Sequence, residues 1–452
     1  MNQSAVEDMD AEPVKRSVSL DEALEIAGRL HRSGELDDAR VIYEAVLEQR
    51  PDDPAAQHFL GVLLHQRGDS ARAVELIRRA IDLQPDNPGA YNNLGNVLLE
   101  SGQIDAAVDA YRRCLELAPE FVETHNNLGT IYRARGELAA AESAYAQAIG
   151  LRPDFTEAYC NMANLRFVQG RTNEAAEYAC RAITQNPAHA PSRKILAVAY
   201  YKLGEVAKAT EVYREWLRED PDNPIARHHL AACSGEGVPT RADDAYIEET
   251  FDAFAGSFDS NLEMLNYRAP DLVAEAIDKL YPQPGKQLRI LDAGCGTGLC
   301  GQRLVRHAAV LIGVDLSAQM LVKAEQRQFY DKLIKAELTA YLASIETAYV
   351  LIVSADTLCY FGALEDVLRA AYNALDAEGR LIFTVEDASD TAAAAGYRIN
   401  PHGRYSHTRQ YVELILVAAG FRRVEVEQVV LRNESGKPVA GLMIVAHKQD
   451  RV

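Results

Sequence analysis

Residues 85–119 read PDNPGAYNNLGNVLLESGQIDAAVDAYRRCLELAP, a stretch that begins and ends on prolines belonging to a longer series. Prolines, glycines and alanines form three such series, each with a spacing of 34 residues: Pro51, Pro85, Pro119, Pro153, Pro187 and Pro221; Gly34, Gly68, Gly102, Gly136, Gly170 and Gly204; Ala39, Ala73, Ala107, Ala141, Ala175 and Ala209. Three independent series that share one period identify an internal repeat in the N-terminal half of the chain.

Each repeat has the pattern of two helices joined by a tight turn. The glycine interrupts an apolar helical period, and the proline ends the second helix because it lacks an N–H group. Large residues recur where the two helices must meet: Leu60, Leu94, Leu128, Met162 and Leu196 on the first, Tyr43, Tyr111, Tyr145 and Tyr213 on the second. The pattern resembles the tetratricopeptide repeat, in six copies over residues 19–222. The resemblance implies an all-α solenoid with a groove, expected over residues 19–233 with a capping helix from Arg227 to Cys233.

Asparagines recur at one position of the three central repeats, Asn93, Asn127 and Asn161. Asparagine is a poor helix former, so its repeated use inside a helix needs a reason. One interpretation is that each amide donates to and accepts from the backbone of an extended peptide held in the groove. The other is that each amide bridges neighbouring repeats. Under the first interpretation these three residues bind the substrate.

From about residue 245 the helical period gives way to helices that alternate with short β-branched runs, such as 288–291, 310–314 and 349–353. This alternation predicts an α/β domain with a parallel, doubly wound sheet over residues 245–452. The last two runs, 424–431 and 441–446, predict an antiparallel hairpin at the sheet edge. Residues 234–244 are expected to form the linker between the two halves.

The first strand of this half runs into Asp292-Ala-Gly-Cys-Gly-Thr-Gly298. Glycines at a strand-to-helix turn allow the backbone to approach a ligand closely. Residues 296–301 also satisfy the dinucleotide G-x-G-x-x-G pattern, so an NAD-linked oxidoreductase is an alternative. Asp292 before the glycines and the small size of the remaining chain favour another family. The segment resembles motif I of class I S-adenosylmethionine-dependent methyltransferases, whose fold is Rossmann-like.

That resemblance, followed in order over residues 245–448, implies S-adenosylmethionine as the cofactor. It also implies a set of cofactor-binding residues: Asp292, Gly294, Gly296, Gly298, Asp315 for the ribose hydroxyls, Leu316 and Met320 beside the adenine, Glu337, Leu338 and Ser354. The helix that contains Phe251 and Phe258 resembles the lid of the cofactor in many members. Tyr360 and Arg404 are expected on the acceptor side, with Arg404 in a long loop over residues 388–407.

Methyl transfer needs a general base only when the acceptor is protonated. His407 is the first candidate for the catalytic residue because its charge changes near neutral pH. Tyr405 and Asp356 follow, and a structural role for His407 remains open. The expected function is transfer of a methyl group to an O or N atom, on a peptide or protein held in the groove. A small-metabolite methyltransferase with repeats used for assembly, and an inactive scaffold, are alternatives.

The chain has 452 residues and a formal net charge of −19. Such an acidic surface disfavours nucleic acid as the main partner. Seven scattered cysteines fit a reducing compartment. The pairs Cys295/Cys300 and His402/His407 lie too far apart in sequence to favour zinc, so no metal is expected. No apolar stretch is long enough for a membrane helix, residues 1–18 are expected to form an acidic disordered tail, and the expected location is cytoplasmic.

Overall fold

The computed structural model describes residues 18–256, 258–346, 348–389, 395–434 and 437–449. The predicted acidic tail therefore lies outside the described residues, apart from Val18. The chain divides into two compact units, Met1–Ile195 and Leu196–Val452. Thirteen helices come first: α1 (Leu20–Ser33), α2 (Leu36–Gln49), α3 (Pro54–Gln66), α4 (Ser70–Leu83), α5 (Pro88–Glu100), α6 (Ile104–Leu117), α7 (Val122–Ala134), α8 (Leu138–Leu151), α9 (Thr156–Val168), α10 (Thr172–Gln185), α11 (Ala190–Lys202), α12 (Val206–Glu219) and α13 (Pro224–Ser234).

The repeating residues set the helix boundaries, as the sequence predicts. All six glycines of the series follow the first helix of a repeat with φ values from +75° to +89°, a conformation that other residues rarely adopt. Asp53 and Asn87 then cap the first helices of the following repeats, since each side chain accepts a hydrogen bond from a backbone N–H. The capping helix α13 starts at Pro224, earlier than predicted, because Asn223 caps it in the same way.

Glycines inside the first helices allow the two helices of a repeat to approach closely. A Cβ atom at Gly95 would lie 2.5 Å from the Tyr111 ring, and one at Gly129 would lie 2.6 Å from the Tyr145 ring. Those tyrosines are fully buried, and the apolar residues predicted to face them are buried as well, at 8% exposure or less. The tyrosine thus fills a hole that only glycine leaves open.

The second unit continues from α12 and α13 into an α/β fold. Its further helices are α14 (Asp244–Phe254), α15 (Phe258–Met264), α16 (Ala269–Leu280), α17 (Gly301–Leu304), α18 (Ala318–Gln326), α19 (Leu338–Ala343), α20 (Glu365–Ala374) and α21 (Arg409–Ala419). Its strands are β1 (Leu288–Ala293), β2 (Ala308–Asp315), β3 (Lys332–Lys335), β4 (Tyr349–Ser354), β5 (Leu375–Asp387), β6 (Tyr397–Ile399), β7 (Tyr405–His407), β8 (Arg423–Glu434) and β9 (Lys437–His447). The sequence-based boundary at 234–244 stays a prediction, and the compact units meet farther upstream, at Ile195 and Leu196.

The strands form one sheet. Five parallel strands run in the order β3-β2-β1-β4-β5. The long hairpin of β8 and β9 extends the sheet antiparallel to β5, as predicted. Apolar side chains cover both faces, which is the pattern of a buried parallel sheet. The predicted doubly wound α/β fold is confirmed.

The prediction of a loop over residues 388–407 is wrong for the last part of this segment. Its last part forms β6 and β7, which pair with each other, and β7 also pairs in parallel with the end of β5. Three-residue strands carry too little alternation to be recognised in a sequence. Residues 390–394 of this segment lie outside the described residues.

Within the described parts of the chain, no helix combines the length and the apolar character that crossing a bilayer requires.

Candidate functional site

The strand order reverses between β1 and β4, which places a crevice at the carboxyl ends of these strands. The glycine segment begins there, directly after β1. Gly294, Gly296 and Gly298 all have positive φ, at +81°, +52° and +84°. A Cβ atom at Gly296 would meet nothing nearer than Phe258 Cε1 at 4.0 Å, so the backbone here is open to a ligand. At Gly294, by contrast, the Thr357 side chain fills that space.

Asp315 ends β2 beside this loop. Its Oδ2 atom accepts a hydrogen bond from the Gly296 N–H at 2.8 Å, and its Oδ1 atom accepts one from the Ser317 N–H at 2.9 Å. Burial raises the pKa of Asp315, and the backbone N–H groups of Ser317, Gly296 and Leu316 oppose that rise. A carboxylate has about four acceptor positions, so part of its acceptor capacity remains for a ligand. Two adjacent hydroxyl groups match that arrangement.

Asp292 has a different environment from Asp315. It is fully buried at the end of β1, and the Tyr330 hydroxyl donates to its Oδ2 atom at 2.7 Å. Burial raises its pKa to about 7. The Tyr330 ring also fills the space beside Gly298 and Gly301. Tyr330 thus supports the glycine loop from behind, a role that its position after α18 did not reveal.

The remaining predicted cofactor residues lie around the same crevice with unequal roles. Met320 and Leu338 are buried, and Leu316 is half-buried. Glu337 caps α19 by accepting from the Thr339 and Ala340 N–H groups, which explains an acidic residue there without a ligand. Ser354 is buried and donates to the Ala293 carbonyl at 2.9 Å, so it ties β4 to β1.

Helices α14 and α15 lie across the carboxyl ends of the strands. Asp252 on α14 accepts from the Ser317 hydroxyl at 2.5 Å and from the Gln319 N–H at 3.1 Å. Asp259 on α15 accepts from the Thr297 hydroxyl at 2.6 Å, and Arg327 also pairs with it. These bonds anchor the two helices to the loops that follow β1 and β2. The sequence pointed to the aromatic residues of this lid and missed its carboxylates.

The segment after β4 lies on the other side of the glycine loop. The Thr357 hydroxyl donates to the Gly294 carbonyl at 3.2 Å, which places Asp356 next to the loop. The Tyr360 ring meets the Phe251 ring edge-on, with 5.4 Å between centroids. The structure therefore brings Asp356 and Tyr360 together with the predicted cofactor residues.

Two of the proposed catalytic residues lie in the interior. His407 is fully buried on β7, its Nε2 atom is 3.0 Å from the Gly362 carbonyl oxygen, and burial lowers its pKa to about 4. Tyr405 is also fully buried, and its hydroxyl donates to the Pro239 carbonyl at 2.8 Å. Each of these side chains bonds to a backbone carbonyl, so each ties β7 to a neighbouring segment.

The asparagine series of the first unit bridges neighbouring repeats. The Nδ2 atom of Asn93 is 2.9 Å from His58 Nε2, that of Asn127 donates to Asn96 Oδ1 at 2.9 Å, and that of Asn161 donates to Asn126 Oδ1 at 2.9 Å. Among the described residues, the Oδ1 atoms of Asn127 and Asn161 have no hydrogen-bond partner. Bridging thus accounts for the amide nitrogens, and the Oδ1 atoms of Asn127 and Asn161 stay available as acceptors, whereas that of Asn93 accepts from Asn92 Nδ2.

Within the described ranges, no group of three or more His, Cys, Asp or Glu side chains is arranged to hold a metal ion. The seven cysteines are free thiols.

Comparisons with known proteins agree with both halves. Residues 4–257, more than half of the chain, match the family model described as Cilia and flagella-associated protein 70 C-terminal domain. Residues 291–381 match the model described as Methyltransferase domain. This second match runs from within β1 to within β5 and thus includes the glycine loop, Asp315 and Asp356.

Individual relatives match shorter stretches. Human methyltransferase-like protein 27 is 33% identical over 101 residues, which are 22% of this chain and 40% of the relative. A malonyl-(acyl-carrier protein) O-methyltransferase of Erwinia pyrifoliae is 29% identical over 109 residues, 24% of this chain and 39% of the relative. The chain thus spans about two fifths of these two curated relatives. The crystal structure of MamA shares 26% identity and a TM-score of 0.32, covering 36% of this chain and 95% of MamA.

The crevice fits the cofactor that the sequence predicts. An open backbone at Gly296, a carboxylate with free acceptor capacity at Asp315 and the half-buried, apolar Leu316 match a ribose that carries an aromatic ring. The predicted fusion of repeats with a methyltransferase is confirmed. The chain belongs to the family described by the Cilia and flagella-associated protein 70 C-terminal domain, and it joins this tetratricopeptide-repeat half to a methyltransferase domain whose cofactor is S-adenosylmethionine.

Proposed function

We propose that the protein transfers a methyl group from S-adenosylmethionine to a nitrogen or oxygen atom of a peptide or protein bound by the repeats. The observation that carries the methyl-transfer part is the pairing of Asp315 with the glycine loop. The Gly296 N–H and the Ser317 N–H fix the Asp315 carboxylate in one orientation while leaving part of each oxygen free. Such a preformed acceptor loses little entropy when hydroxyl groups bind to it.

When bound, S-adenosylmethionine supplies a methyl group on positively charged sulfur. Asp315 would hold the ribose hydroxyls, Met320 and Leu316 would flank the adenine, and the open backbone at Gly296 would face the ligand. Helices α14 and α15 would exclude water from that side, because Phe258 lies against the loop. Methyl transfer itself asks the protein mainly to align the two reactants.

The peptide or protein nature of the acceptor rests on the repeats. Each central asparagine has its amide nitrogen held by a neighbouring repeat, which restricts the rotation of the amide. The Oδ1 atoms of Asn127 and Asn161 can then accept from the N–H groups of an extended chain at a spacing of one per repeat. One similar protein is named for an acceptor borne on acyl-carrier protein, which agrees with an acceptor presented by protein.

Methyl incorporation tests both parts of this proposal. The full chain is incubated with tritiated S-adenosylmethionine and a mixture of random-sequence peptides that contain lysine, serine, glutamate and free amino termini. We expect radioactivity in the peptides. Replacing Asn93, Asn127 and Asn161 by alanine should raise the apparent KM for peptides at unchanged cofactor affinity, the signature of lost ground-state binding.

Asn173→Ala is the matched control, since Asn173 is exposed on the second helix of its repeat and outside the series. An unchanged KM in the triple variant would mean that the repeats serve assembly. Methylation of small amines or alcohols with no incorporation into peptides would replace the peptide acceptor by a metabolite.

A further inference from the structure

Five charged side chains lie together at the segment that follows β4, and we call them the buried ion cluster: Asp356, Glu386, Arg404, Arg432 and Glu434. Arg432 on β8 is only 3% exposed, and it contacts three carboxylates at once. Its Nη1 atom donates to Asp356 Oδ2 at 2.6 Å, its Nε atom donates to Glu434 at 2.7 Å, and its Nη2 atom donates to Glu386. Arg404 donates to Glu386 at 2.6 Å.

Asp356 differs from the other members of the cluster in two respects. It has a φ of +58°, in the left-handed region, although it is not a glycine. Such a conformation costs about 1–3 kcal/mol and is often found at functional sites. Its Oδ1 atom is buried and has no hydrogen-bond partner among the described residues. A buried carboxylate oxygen without a donor is unfavourable, so a missing partner is expected.

The position of Asp356 in the chain connects this residue with the cofactor crevice. Its neighbour Thr357 donates to the Gly294 carbonyl and fills the space beside Gly294. The Asp356 N–H donates to the Thr384 hydroxyl at 2.9 Å, which fixes the backbone from the β5 side. Asp356 thus directly precedes Thr357, which contacts the glycine loop. Its N–H group bonds to Thr384 on β5, and its carboxylate bonds to Arg432 on β8.

We propose that Asp356 Oδ1 receives the proton that the methyl acceptor loses, and that Arg432 is the positioning residue that holds the Asp356 carboxylate for this purpose. The acceptor's N–H or O–H group is the missing donor, and the methyl group takes the place of the proton that moves to Oδ1. The inference rests on the proposed function. It assigns a role to Arg432, which lies in the hairpin of β8 and β9, outside the segment that matches the methyltransferase model.

Several charged and titratable groups face Asp356 from the elements packed against it: Arg432, Glu386, Arg404, Glu434, Tyr267 and Cys359. Burial raises the pKa of Asp356, and Arg432 is the largest influence that lowers it. Loss of the guanidinium should therefore raise that pKa further. An opposite charge at this distance is worth roughly 1–3 pH units.

The test combines two measurements on the full chain. Infrared difference spectra between wild type and Asp356→Asn isolate the titration of this carboxylate without any acceptor. The pH profile of kcat is then measured with tritiated S-adenosylmethionine and the random-sequence peptides. In Arg432→Met, both the carboxylate titration and the acidic limb of kcat should move up by roughly 1–3 pH units. Asp356→Asn should lower kcat by roughly 100-fold or more.

Arg380→Met is the matched control, because Arg380 is also a buried arginine of the sheet but bonds to Tyr281. It should leave both profiles in place. The pH dependence of S-adenosylmethionine affinity, measured separately, should not change in Arg432→Met. If that variant does not fold, Arg432→Lys keeps the charge but loses the three-way contact, and should lower kcat about tenfold with the acidic limb in place.

Coincident carboxylate titrations in wild type and Arg432→Met would overturn the role of Arg432. A wild-type kcat in Asp356→Asn would overturn the role of Asp356. A wild-type kcat in Arg432→Lys would overturn the positioning role of the three-way contact of Arg432. Failure of the wild type to bind S-adenosylmethionine would instead contradict the proposed function, while the infrared titration would still report on Arg432.

Discussion

Among single residues, Asp292 should make the free energy of unfolding depend on pH. Burial raises its pKa in the folded state to about 7, well above the usual value for an aspartic acid. Between about pH 4 and pH 7 the folded state therefore binds a proton that the unfolded chain releases. Stability should fall as the pH rises through this window, by roughly 1.4 kcal/mol for each unit of difference between the two pKa values.

In the Asp292→Asn variant, the free energy of unfolding should not fall in this way as the pH rises. The chain has one tryptophan, and Trp216 is buried in the second unit, so its fluorescence reports urea unfolding of that unit. The free energy of unfolding is compared between the two proteins from pH 4.5 to pH 7.5. A difference between wild type and variant that stays constant over this range would contradict the shifted titration of Asp292.

Sequence reasoning found the residues that belong to one short motif. Gly296 and Asp315 could be predicted because a strand, a glycine turn and a second strand end follow in order. Tyr330 and Arg432 could not, since each reaches the site from a distant point of the chain. Burial is also invisible in the sequence: His407 is a plausible base there, and the structure shows it buried against the Gly362 carbonyl with a lowered pKa.

At the scale of elements, the two lid helices depend on their carboxylates. Asp252 and Asp259 bind the loops after β2 and β1, so these bonds hold α14 and α15 over the crevice. Replacing both by alanine should weaken S-adenosylmethionine binding about tenfold, which is about 1.4 kcal/mol. Calorimetric titration measures the change. Glu249→Ala, an exposed position of α14, is the control.

Equal affinity in the double variant and in Glu249→Ala would show that the lid does not depend on these bonds.

The sequence predicts helices and strands correctly where the pattern is long. The 34-residue period and the hairpin of β8 and β9 were predictable, whereas β6 and β7 were not. The two short strands depend on pairing with β5 rather than on their own sequence.

At the scale of the whole molecule, the end of the repeat array belongs to the second compact unit. His228 on the capping helix lies with Nε2 2.7 Å from the Gly403 carbonyl oxygen, and its ring stacks on Tyr246 with 3.9 Å between centroids. Tyr405 bonds to the Pro239 carbonyl. The sequence, in which the repeat pattern ends near residue 222, did not reveal these contacts.

A fragment of residues 190–452 should consequently be more stable than one of residues 241–452. The shorter fragment loses the His228 contacts and the bond to Pro239, together worth roughly 2–4 kcal/mol. Urea unfolding followed by circular dichroism compares the two. Equal midpoints would mean that the α/β part is energetically independent of the last repeat.

Calorimetric titration of the full chain shows whether the crevice beside Gly296 and Asp315 binds S-adenosylmethionine. Wild type should bind S-adenosylmethionine and S-adenosylhomocysteine and should not bind NADH. Asp315→Ala should lose roughly 1.5–3 kcal/mol of S-adenosylmethionine binding energy, the value of a hydrogen bond to a charged group. Asp278 lies on α16 and pairs with Arg306 at the surface, and Asp278→Ala should bind like wild type. Unchanged affinity in a folded Asp315→Ala variant, or saturable binding of NADH, would mean that this crevice is not an S-adenosylmethionine site built on Asp315.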